Sequence, residues 1–162
     1  MSGSPSAGSI CAQCEGQIPP RRATADALIE LFDDAGQFQG IVLIERLNPP
    51  PGWAIPGGFL DPDEDMEQCA VREAREETCL DVELVGLLGL YSAPGRDPRG
   101  LTVTGVYIAR ATGSPRADDD AASVAVVSPD APPSPMAFDH NAILEHYRQW
   151  KRGERKLGSL LR

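Results

Sequence analysis

The chain has 162 residues, 41% hydrophobic and 24% charged, which is the balance of a globular domain large enough to bury a core. Its net charge of −9 argues against nucleic acid as a partner, because phosphate backbones need clustered Lys and Arg. No apolar run reaches the ~18–20 residues of a membrane span. The N-terminus MSGSPSAGSI has neither the basic start nor the apolar stretch of a secretory signal, so a cytoplasmic location is expected.

Residues 1–20 read as a flexible tail carrying Cys11 and Cys14. This C-x2-C pair is half of a tetrahedral zinc site, but no second pair follows. Plain thiols or a vestigial knuckle are the better reading. A domain over 21–152 is expected next. Thr24–Phe32 and Ile41–Glu45 are apolar runs around an Asp-Asp-Ala-Gly turn, the pattern of a hairpin. Trp53 starts a short strand that breaks into a glycine loop, and Asp65–Thr78 has helical composition. Val82–Tyr91 and Leu101–Ala111 are two more strand candidates, joined by the loop SAPGRDPRG. From Thr112 to Pro135 the chain is rich in Pro, Ala, Ser and Asp and reads as loop, interrupted by Val124–Val127. Phe138–Lys151 has helical spacing, and 153–162 is a basic tail. These elements predict an α/β fold with helices packed on a mixed sheet.

The central helix is unusual. Residues advance by roughly 100° each, which places Met66, Cys69, Ala70 and Leu80 on one apolar arc. Glu73 and Glu77 fall inside that arc and Glu76 lies at its edge. Three carboxylates at i, i+3 and i+4 on a partly buried face repel one another and are costly to desolvate. A hard divalent cation removes the conflict, since Mg²⁺ or Mn²⁺ takes oxygen ligands. The alternative is a solvated face with intrahelical ion pairs.

The same residues carry a pattern. Gly58, five residues, Glu64, seven residues, then Arg72-Glu73-Ala74-Arg75-Glu76-Glu77-Thr78-Cys79-Leu80 resembles the Nudix box, G-x5-E-x7-R-E-U-x-E-E-x-G-U. Two positions depart from it: Cys79 stands where the family has glycine, and Ala74 is smaller than the usual aliphatic. The resemblance implies a Nudix α/β/α sandwich with a mixed β-sheet, and metal-assisted hydrolysis of a nucleoside diphosphate linked to another group. It implies Glu73, Glu76 and Glu77 as Mg²⁺ or Mn²⁺ ligands, joined by the Gly58 carbonyl, with Arg72 orienting a glutamate. A homodimer is expected on the same ground.

The substrate is approached through Tyr91-Ser-Ala-Pro-Gly-Arg-Asp-Pro-Arg-Gly100. This loop is similar to a segment of ADP-ribose pyrophosphatases within the Nudix family, as are Asp119-Asp120-Ala121-Ala122 and Ala137-Phe138-Asp139-His140. Tyr91, Arg96 and Arg99 are the substrate-binding candidates there, guanidinium forks being suited to phosphate. Arg46 is a further phosphate candidate. Trp53, Phe59 and Tyr91 are candidates for stacking on adenine, or else core. Ser123 replaces a glutamate that related sequences carry, so the general base stays open. His140 reads as a helix-start residue. The leading expectation is Mg²⁺-dependent cleavage of ADP-ribose to AMP and ribose 5-phosphate. Alternatives are a nucleoside triphosphate pyrophosphohydrolase and a regulatory module that binds ADP-ribose without cleaving it.

Overall fold

The computed structural model describes residues 20–118 and 121–159. Cys11, Cys14, Asp119, Asp120 and the end of the basic tail lie outside these. In chain order the elements are β1 (Arg22–Phe32), β2 (Phe38–Arg46), β3 (Trp53–Ala54), β4 (Gly57–Phe59), α1 (Met66–Thr78), β5 (Glu83–Tyr91), β6 (Thr102–Thr112), β7 (Ala121–Val127) and α2 (His140–Lys151). The expected hairpin is present, with β1 and β2 antiparallel from Ile29↔Val42 to Phe32↔Phe38. β1 runs parallel to β6 along its whole length, from Arg22↔Thr102 to Phe32↔Thr112, so the sheet is mixed.

Alternation along β1 explains the layers. Ala25, Ala27, Ile29 and Leu31 face α1, where Cys69, Ala70 and Ala74 pack on them. Leu28 faces the other way, onto Ile143, Leu144 and Tyr147 of α2. The small residues of β1 bring α1 close to the strand, and the small Ala74 is fully buried there. Two acidic residues share the α2-facing side of β1. Glu30 is wholly buried and accepts bonds from Tyr147 Oη and Lys151 Nζ, each at 2.8 Å, which ties α2 to the sheet. Asp26 is the other.

Two segments differ from the sequence expectation. β7 begins at Ala121 rather than Val124, because its backbone pairs with β2 from Ile41↔Val127 to Arg46↔Ala121. Partner strands set this element; its own composition is weak. The glycine loop after Trp53 holds a second short strand, β4, which pairs Thr24, Ala25 and Asp26 of β1 with Phe59, Gly58 and Gly57.

Helix α1 is capped at both ends. Asp65 accepts from Gln68 N–H, and the Gln68 side chain returns a bond to Asp65 N–H. At the other end Cys79 takes the left-handed conformation, φ 58°, and donates its N–H to the Arg75 carbonyl. A side chain there costs about 1 kcal/mol that glycine avoids. The substitution Cys79→Gly should therefore raise the melting temperature by about 2–4 °C. Differential scanning calorimetry showing no rise would mean that the cysteine gains a compensating contact.

Candidate active site

Gly57 and Gly58 lie between two cavities. Strand alternation points the missing Cβ of Gly58 at the Glu73 carboxylate and that of Gly57 at Asp26 Oδ1, so any side chain at either position would overlap a carboxylate. On the α1 side the cavity is lined by Glu73, Glu77, Arg72, Ile44 and Phe59. On the α2 side it is lined by Asp26, Thr24, Thr104, Phe138 and His140. Arg46 and Arg99 line both.

Arg72 organises the first cavity. Its Nη1 donates to Glu73 Oε1 at 2.8 Å and to Glu76 Oε2 at 2.9 Å, while Nε and Nη2 reach Glu64 at 2.9 and 2.5 Å. Nη2 also donates to the Phe59 carbonyl at 3.1 Å. The guanidinium thereby fixes α1 to the glycine turn and holds Glu64 down to a pKa of about 2, through their hydrogen bond first. Glu77 stands apart from Arg72. It is buried, and Gly57 N–H donates to its Oε2 at 2.9 Å. Burial, then repulsion from Glu73 and Asp26, pushes its pKa up to about 8. Burial likewise raises Glu73 against the pull of Arg72. Cys69, beneath this turn, donates its thiol to the Gly58 carbonyl at 3.6 Å, so that carbonyl faces α1.

No three His, Cys, Asp or Glu side chains are already grouped around a metal position among the described residues. Glu73 and Glu76 are instead engaged by Arg72. The donor set nevertheless fits a hard divalent cation. Glu77 and Glu73 are carboxylates that resist ionisation where they are, the Gly58 carbonyl adjoins them, and a cation would offset both charges. Glu76, with its side chain 44% exposed, is the most solvated of the three glutamates.

The substrate-binding candidates fall into two groups. Arg46 and Arg99 are placed at the junction of the cavities within an alternating ladder of guanidinium and aromatic groups. Arg22 lies over the Phe59 ring, Arg99 lies 4.9 Å from the centre of Phe59 and 5.0 Å from that of Phe138, and Arg46 lies 4.9 Å from Phe138. Asp97 steadies Arg99 through Nε and Nη2 at 3.0 and 2.9 Å. Arg96 borders the second cavity but is committed elsewhere. Its side chain is 5% exposed, paired at both ends with Asp139 at 2.9 and 2.6 Å and bonded to Thr102 and Thr104. Tyr91 belongs to the core under α2, where its hydroxyl bonds His146 Nδ1 at 2.9 Å. Trp53 also packs against that core.

Sequence reasoning missed Asp26, Phe138 and the site role of His140. The signal for Asp26 was present, one of two acids inside the apolar run TADALIELF, the other being Glu30. His140 is buried, and its Nδ1 accepts the Ile55 N–H at 3.0 Å. Phe138 lies in the Ala137–His140 segment already noted, but nothing in that segment marked its ring as facing a cavity; its backbone takes φ 53°, rare for an aromatic residue. The departure at Ser123 leaves the carboxylate face intact. Ser123 is opposite Glu45 and donates to its Oε2 at 2.9 Å. Strand alternation directs that pair away from Ile44 and Arg46.

The raised carboxylates make stability depend on pH. In the metal-free protein Glu77 and Asp26 (pKa about 7) bind protons more tightly folded than unfolded, so stability is full in acid and is lost as pH rises through about 7 and 8. Melting temperature should fall between about pH 5 and pH 8.5 without metal. Added Mn²⁺ or Mg²⁺ should raise it more at the alkaline end, where ionised carboxylates are available. Glu77→Gln should flatten the profile; an unchanged slope in that variant would contradict the assignment.

A family model described as NUDIX domain matches residues 20–147. Over 116 residues the chain is 41% identical to the ADP-ribose pyrophosphatase of Methanocaldococcus jannaschii, covering 70% of this chain and 68% of that protein. Over 80 residues it is 41% identical to the ADPR responsive transcriptional repressor NtrR of Acinetobacter baylyi, 47% of this chain and 32% of the repressor. Among solved structures, the NUDIX domain of Shewanella oneidensis NrtR complexed with ADP ribose superposes with a TM-score of 0.70 at 28% identity, over 83% of this chain and 90% of that one. With a mixed sheet between two helices and the carboxylates of α1 turned onto a glycine strand, the chain belongs to the Nudix family of pyrophosphohydrolases.

Proposed function

We propose that the chain hydrolyses ADP-ribose to AMP and ribose 5-phosphate with a divalent cation, Mg²⁺ or Mn²⁺. One observation carries the reading: the carboxylates of α1 and the guanidiniums of Arg46 and Arg99 face a shared opening across Gly57 and Gly58. Carboxylates alone would repel a diphosphate. Two guanidiniums at the junction offset that repulsion and hold the phosphates beside the helix.

Glu73, Glu76, Glu77 and the Gly58 carbonyl would hold the cation, with Arg72 setting the orientation of Glu73 and Glu76. When bound, the cation polarises a phosphate oxygen and lowers the pKa of a water. Glu77, with one oxygen fixed by Gly57 N–H, keeps the other free to accept a proton. Water oxygen bonds to phosphorus, the bridging P–O bond breaks, and the departing phosphate meets Arg46 and Arg99. Similarity to the M. jannaschii enzyme and to the ADP-ribose complex supports this substrate. Similarity to NtrR favours a second reading, binding without cleavage. Retention of Glu73, Glu76 and Glu77 weighs against it.

Chromatography of products formed from ADP-ribose, dGTP and 8-oxo-dGTP with Mg²⁺ tests the proposal. AMP and ribose 5-phosphate should form fastest from ADP-ribose, and EDTA should stop the reaction. Fastest release of pyrophosphate from a triphosphate would overturn the substrate, and binding without turnover would favour the second reading. Glu77→Gln should lower kcat by at least about 100-fold and keep the protein folded. Arg99→Ala should lower kcat/KM for ADP-ribose about 10-fold and cost triphosphate turnover less; equal losses would remove Arg99 from substrate selection.

A further inference from the structure

The cavity on the α2 face contains an acceptor that the protein leaves unused. The Asp26 side chain is 9% exposed, and among the described residues its one polar side-chain neighbour is His140, at a distance longer than a good hydrogen bond. His140 Nε2 stands 3.5 Å from Oδ2. Because His140 Nδ1 accepts the Ile55 N–H, the ring carries its proton on Nε2 and turns that proton towards Asp26. Burial keeps the imidazole neutral, with its pKa down to about 3. A neutral histidine behind the carboxylate orients it without supplying a counter-charge.

The nearby cations contribute charge, Arg96 first and then Arg46, but donate no hydrogen bond to Asp26. Arg96 is engaged by Asp139, Thr102 and Thr104. Arg99 is engaged by Asp97, and Arg46 donates to the Pro50 carbonyl at 2.8 Å. A buried carboxylate without donors is costly, so a ligand that brings donors is favoured there. The donor has to be uncharged or cationic. Phosphate in direct contact with Asp26 is disfavoured by like charge, and no three-ligand metal set is grouped there among the described residues. A pair of adjacent hydroxyls suits the two oxygens of one carboxylate. Ile55 and the Phe138 ring provide an apolar wall beside it. Phe138 is held in the left-handed region to present that ring, a strained backbone kept at the site.

We propose that Asp26, oriented by His140, binds the hydroxyls of a ribose joined directly to the diphosphate, and thereby selects sugar-bearing diphosphates. This rests on the reading of the α1 face as the place where the diphosphate is cleaved. With the phosphates on Arg46 and Arg99, the group one ester bond away enters the cavity floored by Asp26. ADP-ribose has two such riboses, the adenosine ribose and the distal one.

The test compares wild type and Asp26→Asn on three substrates: ADP-ribose, 2′-deoxy-ADP-ribose, and the β-methyl ester of ADP, which lacks the distal ribose. Asp26→Asn should lower kcat/KM for ADP-ribose about 10- to 100-fold, mostly through KM. The loss should be smaller by about that factor on the substrate lacking the bound hydroxyls. Insensitivity confined to the deoxy compound assigns the adenosine ribose, and insensitivity confined to the methyl ester assigns the distal one. Equal losses on all three would overturn the proposal. If Asp26→Asn fails to fold, wild type alone decides, because discrimination below about threefold against both analogues would overturn it. Should wild type cleave none of the three, the proposed function fails. Calorimetric Kd values for the same ligands then test Asp26 separately, and equal values in both proteins would sink it.

Discussion

The absence of two side chains, at Gly57 and Gly58, is the constraint on which the site depends. A β-strand normally separates its two faces by the bulk of its side chains. Here β4 has none over two consecutive residues, so a carboxylate comes against its backbone from each face. Glu73 approaches from the helix side and Asp26 from the other. The sheet is thinnest between the two carboxylate-bearing cavities. That accounts for the pairing of β1, which gives its first half to β4 and its second half to β2. Arg46, at the end of β2, and Arg99 line both cavities beside β4.

Electrostatics follows from this geometry. Three groups on the two sides of the strand, Glu73, Glu77 and Asp26, are pushed towards their protonated forms by burial and by one another. The cations near them are each tethered by another acid or by a backbone carbonyl, so they hold the rims without collapsing into the centre. Arg72 is the exception that enters the carboxylate group, and there it fixes positions rather than neutralising every charge. Glu77 is left outside its reach and is raised further than Glu73.

Much of this was legible in the sequence because it depends on spacing along one helix. The i, i+3, i+4 acids and the single glycine at position 58 are local signals, and the structure brings them together. The hairpin and the β5 and β6 strands were legible for the same reason, since alternation and turn residues are local. What could not be read depends on partners far along the chain. β7 is a strand because β2 offers it a ladder. Arg96 looked free in its loop, yet Asp139, 43 residues away, takes its fork. Tyr91 sat beside two arginines in sequence and faces the opposite way, into the core. His140 does start α2, as its sequence position indicates, but its burial against Ile55 and Asp26 depends on residues 85 and more positions away.

The thiol of Cys69 has a consequence for the chemistry this site can survive. Burial raises its pKa to about 12, with the Glu64 carboxylate adding to the effect. Only a thiolate attacks peroxide or alkylating reagents readily. The sulfur that touches the Gly58 carbonyl is therefore shielded from oxidation at neutral pH, whereas Cys79 at the helix end is exposed. Of these two cysteines, a mild reagent such as iodoacetamide would mark Cys79 and spare the one beside the carboxylates. The less reactive sulfur packs the underside of the Gly57–Gly58 turn, so oxidation would mark the end of α1 before it reached the carboxylates.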